Sequence, residues 1–476
     1  MPAPTTNRPV GVRLTDVLAP IYPPTADCYA TTCTNQASQC REGDVYVAPD
    51  GDAATVLPLV ANAIANGASV VVTSQLLPVA QVPQYVVADT REAFATLCHA
   101  LVGNPAEQLH CTAIAGGLGK SSVIGLLNSI YRVAGYTAAT ADDDQSFDGS
   151  GIRKVDGKSS SPAAAASWLG RSNANGCDDA LIEASQHASV DRRFAGITFQ
   201  TVCVTNLTTK TPSTSRQSER AKIAWACKQL ADDGTLVLNA DDQDCCRLLS
   251  EVTGEAITFG FGETADVRGQ ILQRHTAGQV LLIRYGSESV AIETSTVGDA
   301  HASNCLAAAA TALAQGISLK HTAHGIESAP GVTGVMQPVV CGQAFPVYLD
   351  RAASPAAVAE ATRSVAKVAN HRVLTVVAEQ VSRESAELSI NAARVASEIV
   401  LVPRQVAGSL GSVDGVRVVE DRFTAIALAL ALADPGDAVV VLGCEPSTSG
   451  EDSDEQTVRQ LLQLRLENEE EVAAAG

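Results

Sequence analysis

Basic residues are scarce in this chain. Its 33 Lys and Arg stand against 52 Asp and Glu, and the formal charge of −19 repels polyanions at long range, so nucleic acid is a poor partner. With aromatics at only 4%, no basic stripe interleaved with aromatic rings offsets that field. An apolar run long enough to span a bilayer is also missing, and membrane insertion is not expected. Residues 1–9 hold one arginine and no apolar core of a secretory signal, which makes a cytoplasmic location the expectation. The 13 cysteines form no CxxC or Cys/His pattern at zinc spacing, and adjacent Cys245 and Cys246 suit neither a metal nor a disulfide. Most are expected to be small buried hydrophobes.

A length of 476 residues exceeds what one core serves and suggests about three domains, while 46% hydrophobic against 18% charged residues is a globular makeup. From Val45 to about Val102, strands and helices alternate as in a small α/β domain, and Gly103-Asn104-Pro105 then breaks the pattern. The first domain is placed at 1–107. Ala180 to Glu183, Val202 to Thr205 and Thr235 to Leu238 are short apolar runs that suit a parallel sheet buried on both faces, and this second domain is placed at 108–332. Polar Asp142 to Ser161 reads as loops and edge structure near the ligand. After Gly331 to Gly334, alternation resumes with strands at Val347–Leu349, Val373–Val377, Ile399–Val402 and Ala438–Leu442, a third α/β domain over 333–476. Acidic Glu451–Glu455 and Glu467–Glu471 read as a solvated face and a frayed tail.

The stretch richest in chemistry is Ala113-Ile114-Ala115-Gly116-Gly117-Leu118-Gly119-Lys120-Ser121-Ser122. Leu109 to Ala115 reads as a buried strand, and Val123, Leu126, Leu127 and Ile130 recur at the spacing of a core-facing helix that runs to Gly135. A glycine turn between strand and helix lets backbone N–H groups approach an anion closely. The helix N-terminus adds positive potential, Lys120 a mobile charge, and Ser121 a hydroxyl for Mg²⁺. The strict GxxxxGK[ST] pattern is not met, since Ile114 stands at its first glycine.

Further along come Glu183-Ala184-Ser185-Gln186-His187, where a carboxylate and an imidazole can converge on a cation at a strand end, then Val204-Thr205-Asn206-Leu207, Ala221-Lys222, Leu238-Asn239-Ala240-Asp241-Asp242, His301 to Ala307, and Tyr348 to Pro355. Taken in order, these resemble the E-V-S-S-H, F-T-N-L, A-K, L-N-x-D-D, N-x-x-N-x-L-A and V-D-Y-A-H-T-P segments of the Mur ligase family. The glycine turn is similar to the family's GTNGKTT. The likeness runs over nearly the whole chain and is strongest to MurE-type members, of which this chain would be a divergent one.

That resemblance implies an α/β protein of three-domain Mur ligase architecture, with a central P-loop-type parallel sheet and a Rossmann-like C-terminal domain. It implies ATP held by Gly116, Gly117, Gly119, Lys120, Ser121 and Ser122, with Asn304 at adenine and Asp350 at ribose. Mg²⁺ would be met by Ser121, Glu183, His187 and a carbamoylated Lys222, and Lys120, Glu183, His187 and Lys222 would form the catalytic set. Ser160 and Ser161, in a segment like the family's T-T-P, would meet a nucleotide-linked muramyl peptide. ATP would phosphorylate a carboxylate of that peptide, and the amino group of an added amino acid would displace phosphate from the acyl phosphate.

Departures cluster in substrate recognition. The family's Asp-His pair after F-T-N-L is replaced within Thr208-Thr209-Lys210-Thr211-Pro212, its P-G-R becomes Thr333-Gly334-Val335, and no DNPR-type loop is recognisable around Val402-Pro403-Arg404-Gln405. Two functions therefore stand: an ATP-dependent amide ligase, or a non-catalytic relative that binds nucleotide or a cell-wall precursor and acts as regulator or partner of an active cell-wall enzyme. An unrelated P-loop kinase explains neither Leu238–Asp242 nor Asn304.

Overall fold

The computed structural model describes residues 11–475 other than 25, 80, 143–144, 155–160, 185–191, 193, 208–222, 225, 249–253, 332–333, 353, 378–382, 408–413 and 445–452. The largest sheet has eleven strands in the order Ile152–Lys154, Gln145–Phe147, Ala138–Ala141, Asp179–Glu183, His110–Ala115, Phe199–Val204, Leu230–Asn239, Glu255–Gly260, Val267–His275, Gly278–Tyr285 and Glu288–Thr294. Every neighbouring pair from Ala138–Ala141 to Val267–His275 is parallel, and antiparallel strands finish both edges.

Why these strands read as continuous apolar runs is visible in their two faces. Ala113, Ala115, Ile182, Val202, Val204 and Leu238 pack on one side with Trp168 and Leu169 of the helix Pro162–Ala174. Ile114, Leu181, Cys203 and Val237 pack on the other with Val123 and Leu127 of the helix Lys120–Ala134 and with Leu306 of the helix Asp299–Ala314. A parallel sheet covered by helices on both sides leaves no face for polar residues.

Two smaller sheets flank this one in sequence. Cys33–Thr34, Val45–Val47, Val70–Thr73 and Gln84–Val86 form a parallel four-stranded sheet. The third sheet runs Gln337–Pro338, Val347–Asp350, Ala438–Leu442, Val373–Val376, Ile399–Pro403 and Val416–Val419, parallel except for its first pair. Among the described residues no helix is long and apolar enough to cross a membrane. Most of the cysteines are buried, and none is bridged.

Of the polar stretch 142–161, the described hairpin Gln145–Phe147 and Ile152–Lys154 forms an edge of the large sheet. Asp148 in its turn accepts from the N–H groups of Ser150 and Gly151 and from Arg171 Nε. The acidic end differs from the frayed tail expected of it: Asp454–Ala475 is a helix that buries Val458 and Leu462 in the third core, and Asp454 meets Arg422 at 2.7 Å. Its apolar residues, spaced at one helical turn, outweigh the local charge once a surface is there to receive them.

One buried acid makes the fold pH-sensitive. Asp179 begins its strand at 5% exposure, and burial, followed by the charge of Asp178, raises its carboxyl to about 7. The folded state thus holds this proton more tightly than the unfolded chain, and the stability it contributes is full below the ordinary carboxylate range and lost as pH rises through about 7. Asp179→Asn should match the parent near pH ~4 and exceed it at about pH 8 by something on the order of 3 kcal/mol. Calorimetric unfolding across that range checks it, and parallel pH profiles for the two proteins would sink the assignment.

Candidate active site

The crevice forms where the order of the large sheet reverses. From His110–Ala115 the chain turns first toward Ala138–Ala141 and Asp179–Glu183 on one side, then crosses to Phe199–Val204 on the other, and ligands of α/β sheets bind at such switch points beyond the carboxyl ends of the strands. Gly116 and Gly119 there have φ of +130° and +86°, the left-handed region that only glycine enters freely. Space forbids side chains as well. A Cβ on Gly116 would collide with Thr205 Oγ1, and one on Gly119 would collide with Asn304 Oδ1.

Gly119 caps the helix Lys120–Ala134, and the Val123 N–H closes the first turn on the Gly119 carbonyl at 2.9 Å. The N–H groups of Lys120, Ser121 and Ser122 ahead of it are those an α-helix leaves without intrahelical acceptors, oriented to receive an anion. Lys120 Nζ lies 3.4 Å from Glu183 Oε1 and donates to the Gly117 carbonyl at 3.2 Å. Ser121 Oγ donates to Glu183 Oε2 at 2.9 Å. A nearly buried carboxylate, a hydroxyl and an ammonium thus meet at one point. Hydroxyl and carboxylate oxygens are the hard donors Mg²⁺ takes, so Ser121 and Glu183 fit a magnesium ion beside a phosphate. Among the described residues no larger cluster of metal-ligating side chains occurs, and His187, Lys222 and Ser160 lie outside the described residues.

Asn206 is the residue whose role the sequence reading missed. Its Oδ1 accepts from the N–H groups of Gly117 and Leu118 at 3.2 and 3.1 Å, and its Nδ2 donates to the Leu118 carbonyl at 2.9 Å. Thr205 Oγ1 donates to the same carbonyl at 2.8 Å. The loop is therefore braced from beneath by the residues that leave the next strand. The segment Asn239–Asp242 braces that brace: Asn239 Nδ2 donates to the Thr205 carbonyl at 2.9 Å, and Asp242 Oδ2 accepts from Leu207 N–H at 2.7 Å. Asp241 accepts from the N–H groups of Phe261 and Gly262. An Asn placed directly after a buried strand was the available signal, but register alone cannot tell which loop its amide meets.

Other expected site residues are spread more widely. Asn304 stands against Gly119, as the clash above requires. His301, one turn earlier, faces Cys305 Sγ at 3.5 Å, and burial lowers its imidazole to about 4 so that it is neutral near pH 7. Ser122 is buried and lines a small cavity with His301. Asp350 ends a strand of the third sheet, where its oxygens accept from Met336 N–H and Ala352 N–H, both at 2.8 Å; burial raises its carboxyl and those two N–H groups oppose the shift. Ser161 caps the helix Pro162–Ala174 through Ala164 N–H, and with Asn35, Asp50, Arg91 and Phe94 it lines a cavity of about 540 Å³ between the first and second sheets.

Known proteins match this arrangement. Residues 114–312 match the Mur ligase middle domain and residues 336–444 the Mur ligase, glutamate ligase domain. A UDP-N-acetylmuramoyl-L-alanyl-D-glutamate–2,6-diaminopimelate ligase of Listeria innocua is 25% identical over 452 residues, 89% of this chain and 91% of its own. The enzyme of the same name from Solibacter usitatus is 28% identical over 453 residues, 89% of this chain and 90% of its own. Among solved structures, a ligase of that name superposes with a TM-score of 0.73 at 18% identity, covering 96% of this chain and 99% of the other. MurF ligase from Thermotoga maritima in complex with ADP gives 0.62 at 14% identity, covering 92% and 98%. With residues 114–312 and 336–444 both matched by Mur ligase domains, the protein belongs to the Mur ligase family.

Proposed function

We propose that the chain is an ATP-dependent ligase that joins an amino acid to a carboxylate of a UDP-N-acetylmuramoyl-peptide-like substrate. The observation that carries this reading is the convergence of Lys120, Ser121 and Glu183 beneath a braced glycine loop, with Asn304 against Gly119 on the side expected to take adenine. ATP's γ-phosphoryl passes to the carboxylate oxygen and ADP leaves; the amine then attacks the acyl carbon and phosphate leaves. Lys120 and the first-turn N–H groups hold negative charge in place as it shifts toward ADP, which is where catalysis of such transfers mostly originates. Glu183 holds the Lys120 ammonium and Ser121 hydroxyl at one point. A bound Mg²⁺ would supply further neutralisation of phosphate charge at Ser121 and Glu183, with His187 and a carbamoylated Lys222 as its other proposed ligands. Asp350 is assigned to ribose, Ser160 and Ser161 to the muramyl substrate, and the cavity at Ser161 to part of that substrate. The relatives' diaminopimelate specificity is not transferred, because the loop expected to select it is unrecognisable here.

A second reading rests on Asp350, whose two oxygens already accept backbone N–H groups, and on the Asp-His pair replaced within 208–212. It makes the chain a nucleotide-binding partner of other cell-wall enzymes. Phosphate release from Mg²⁺-ATP, measured with a nucleotide-linked muramyl dipeptide and a pool of amino acids, separates the two. Release that requires both co-substrates supports the ligase; ATP binding without release supports the partner.

A further inference from the structure

At the edge of the four-stranded sheet, two thiols meet that belong to no motif of the reaction site. Cys33 on the edge strand Cys33–Thr34 and Cys98 in the helix Thr90–Leu101 place their sulfurs 3.7 Å apart across 65 residues of sequence. Cys33 is half-buried and reachable by a small reagent, whereas Cys98 is only 5% exposed. The hydrogen bond from Cys33, together with burial, pushes the Cys98 thiol far up, so first attack on an external oxidant falls to Cys33. Asn35, two residues beyond Cys33, and Phe94, one helical turn before Cys98, both line the cavity of about 540 Å³. The pair thus lies two residues along the chain from one lining residue and one helical turn from another.

We infer that Cys33 and Cys98 are a modification site, a dithiol that closes reversibly to a disulfide. A bond length of about 2.0 Å asks the sulfurs to approach by about 1.7 Å from their 3.7 Å contact. The Cys33 thiolate attacks one sulfur of a small disulfide such as oxidised glutathione and expels one glutathione thiolate. Cys98 gives up its proton to that thiolate, attacks the Cys33 sulfur and expels the second. Two protein thiols are oxidised, one small disulfide is reduced to two thiols, and the protons end on those thiols. The bond ties the edge strand to the helix and stiffens the wall between Asn35 and Phe94, whatever the cavity binds.

The test treats the full chain with oxidised glutathione at mildly alkaline pH, blocks free thiols and maps peptides without reductant. A Cys33–Cys98 peptide pair is expected, lighter by its two thiol hydrogens and opened again by dithiothreitol. The oxidised protein should unfold about 5 °C or more above the reduced one, because a bridge across so long a loop restricts the unfolded chain. Cys33→Ser should lose the bridge and the thermal shift, and Cys28→Ser, at another half-buried cysteine packed on the same core, should keep both. A glutathione adduct that stays on Cys33, a bridge to Cys28, or an unchanged unfolding midpoint would each overturn the inference.

Discussion

Lys120→Ala is expected to lower phosphate release by about 10²- to 10³-fold, with weaker ATP binding, while the sheets stay folded. The variant removes an ammonium that stands 3.4 Å from the Glu183 carboxylate, at the helix start proposed to hold the phosphates. It should also cost stability before any nucleotide is added, because a nearly buried carboxylate loses a neighbouring positive charge. Adding Glu183→Gln should restore that stability without restoring turnover. A double-mutant cycle on unfolding, run beside a phosphate-release assay, reads both effects, and unchanged nucleotide affinity in Lys120→Ala would remove the phosphate-loop assignment.

The second large effect is expected at Asn206, which acts through the loop and not on the reacting atoms. Asn206→Ala takes away the side-chain acceptor of the Leu118 N–H, one of the two acceptors of the Gly117 N–H, and a donor to the Leu118 carbonyl. Thr205 Oγ1 on the Leu118 carbonyl and the backbone carbonyl of residue 206 on Gly117 N–H then hold the loop from below. A loop that must be ordered at each binding event raises the KM for ATP, and about a 10²-fold loss in kcat/KM is the expected scale for a misplaced anion cradle. Asn206→Asp keeps the acceptor, loses the amide donor and adds a negative charge beside the phosphates, so it should bind ATP no better than Asn206→Ala. If Asn206→Ala binds ATP as the parent does, the bracing role fails, whatever happens to its stability.

Much of the architecture follows from local pattern. The apolar runs at Ala180–Glu183, Val202–Thr205 and Ala438–Leu442 are strands in the structure because a parallel sheet covered by helices on both faces demands unbroken hydrophobicity. The turn at Gly116–Gly119 and the helix to Gly135 are equally local, set by positive φ and by the spacing of Val123, Leu127 and Ile130. The antiparallel strands Gly278–Tyr285 and Glu288–Thr294 and the acidic C-terminal helix are harder to read from local pattern. Their outward faces carry polar residues, and their order depends on a neighbour to pair with or pack against.

Residue types at Lys120, Ser121 and Glu183 were legible because each chemistry is carried by a few side chains in a recognisable order. Which atoms meet was not, since Glu183 joins Lys120 across 63 positions only when two parallel strands lie side by side in the one register that aligns their ends. The same holds for Asn206 under the loop and for Cys33 beside Cys98. Sequence sets the period and composition of each element, and so the sheet type, the glycine turn and the family. Contacts between elements follow from strand order and helix packing, which are settled by burying many side chains at once, and it is those contacts that turn a candidate residue into a brace, a counter-charge or a thiol pair.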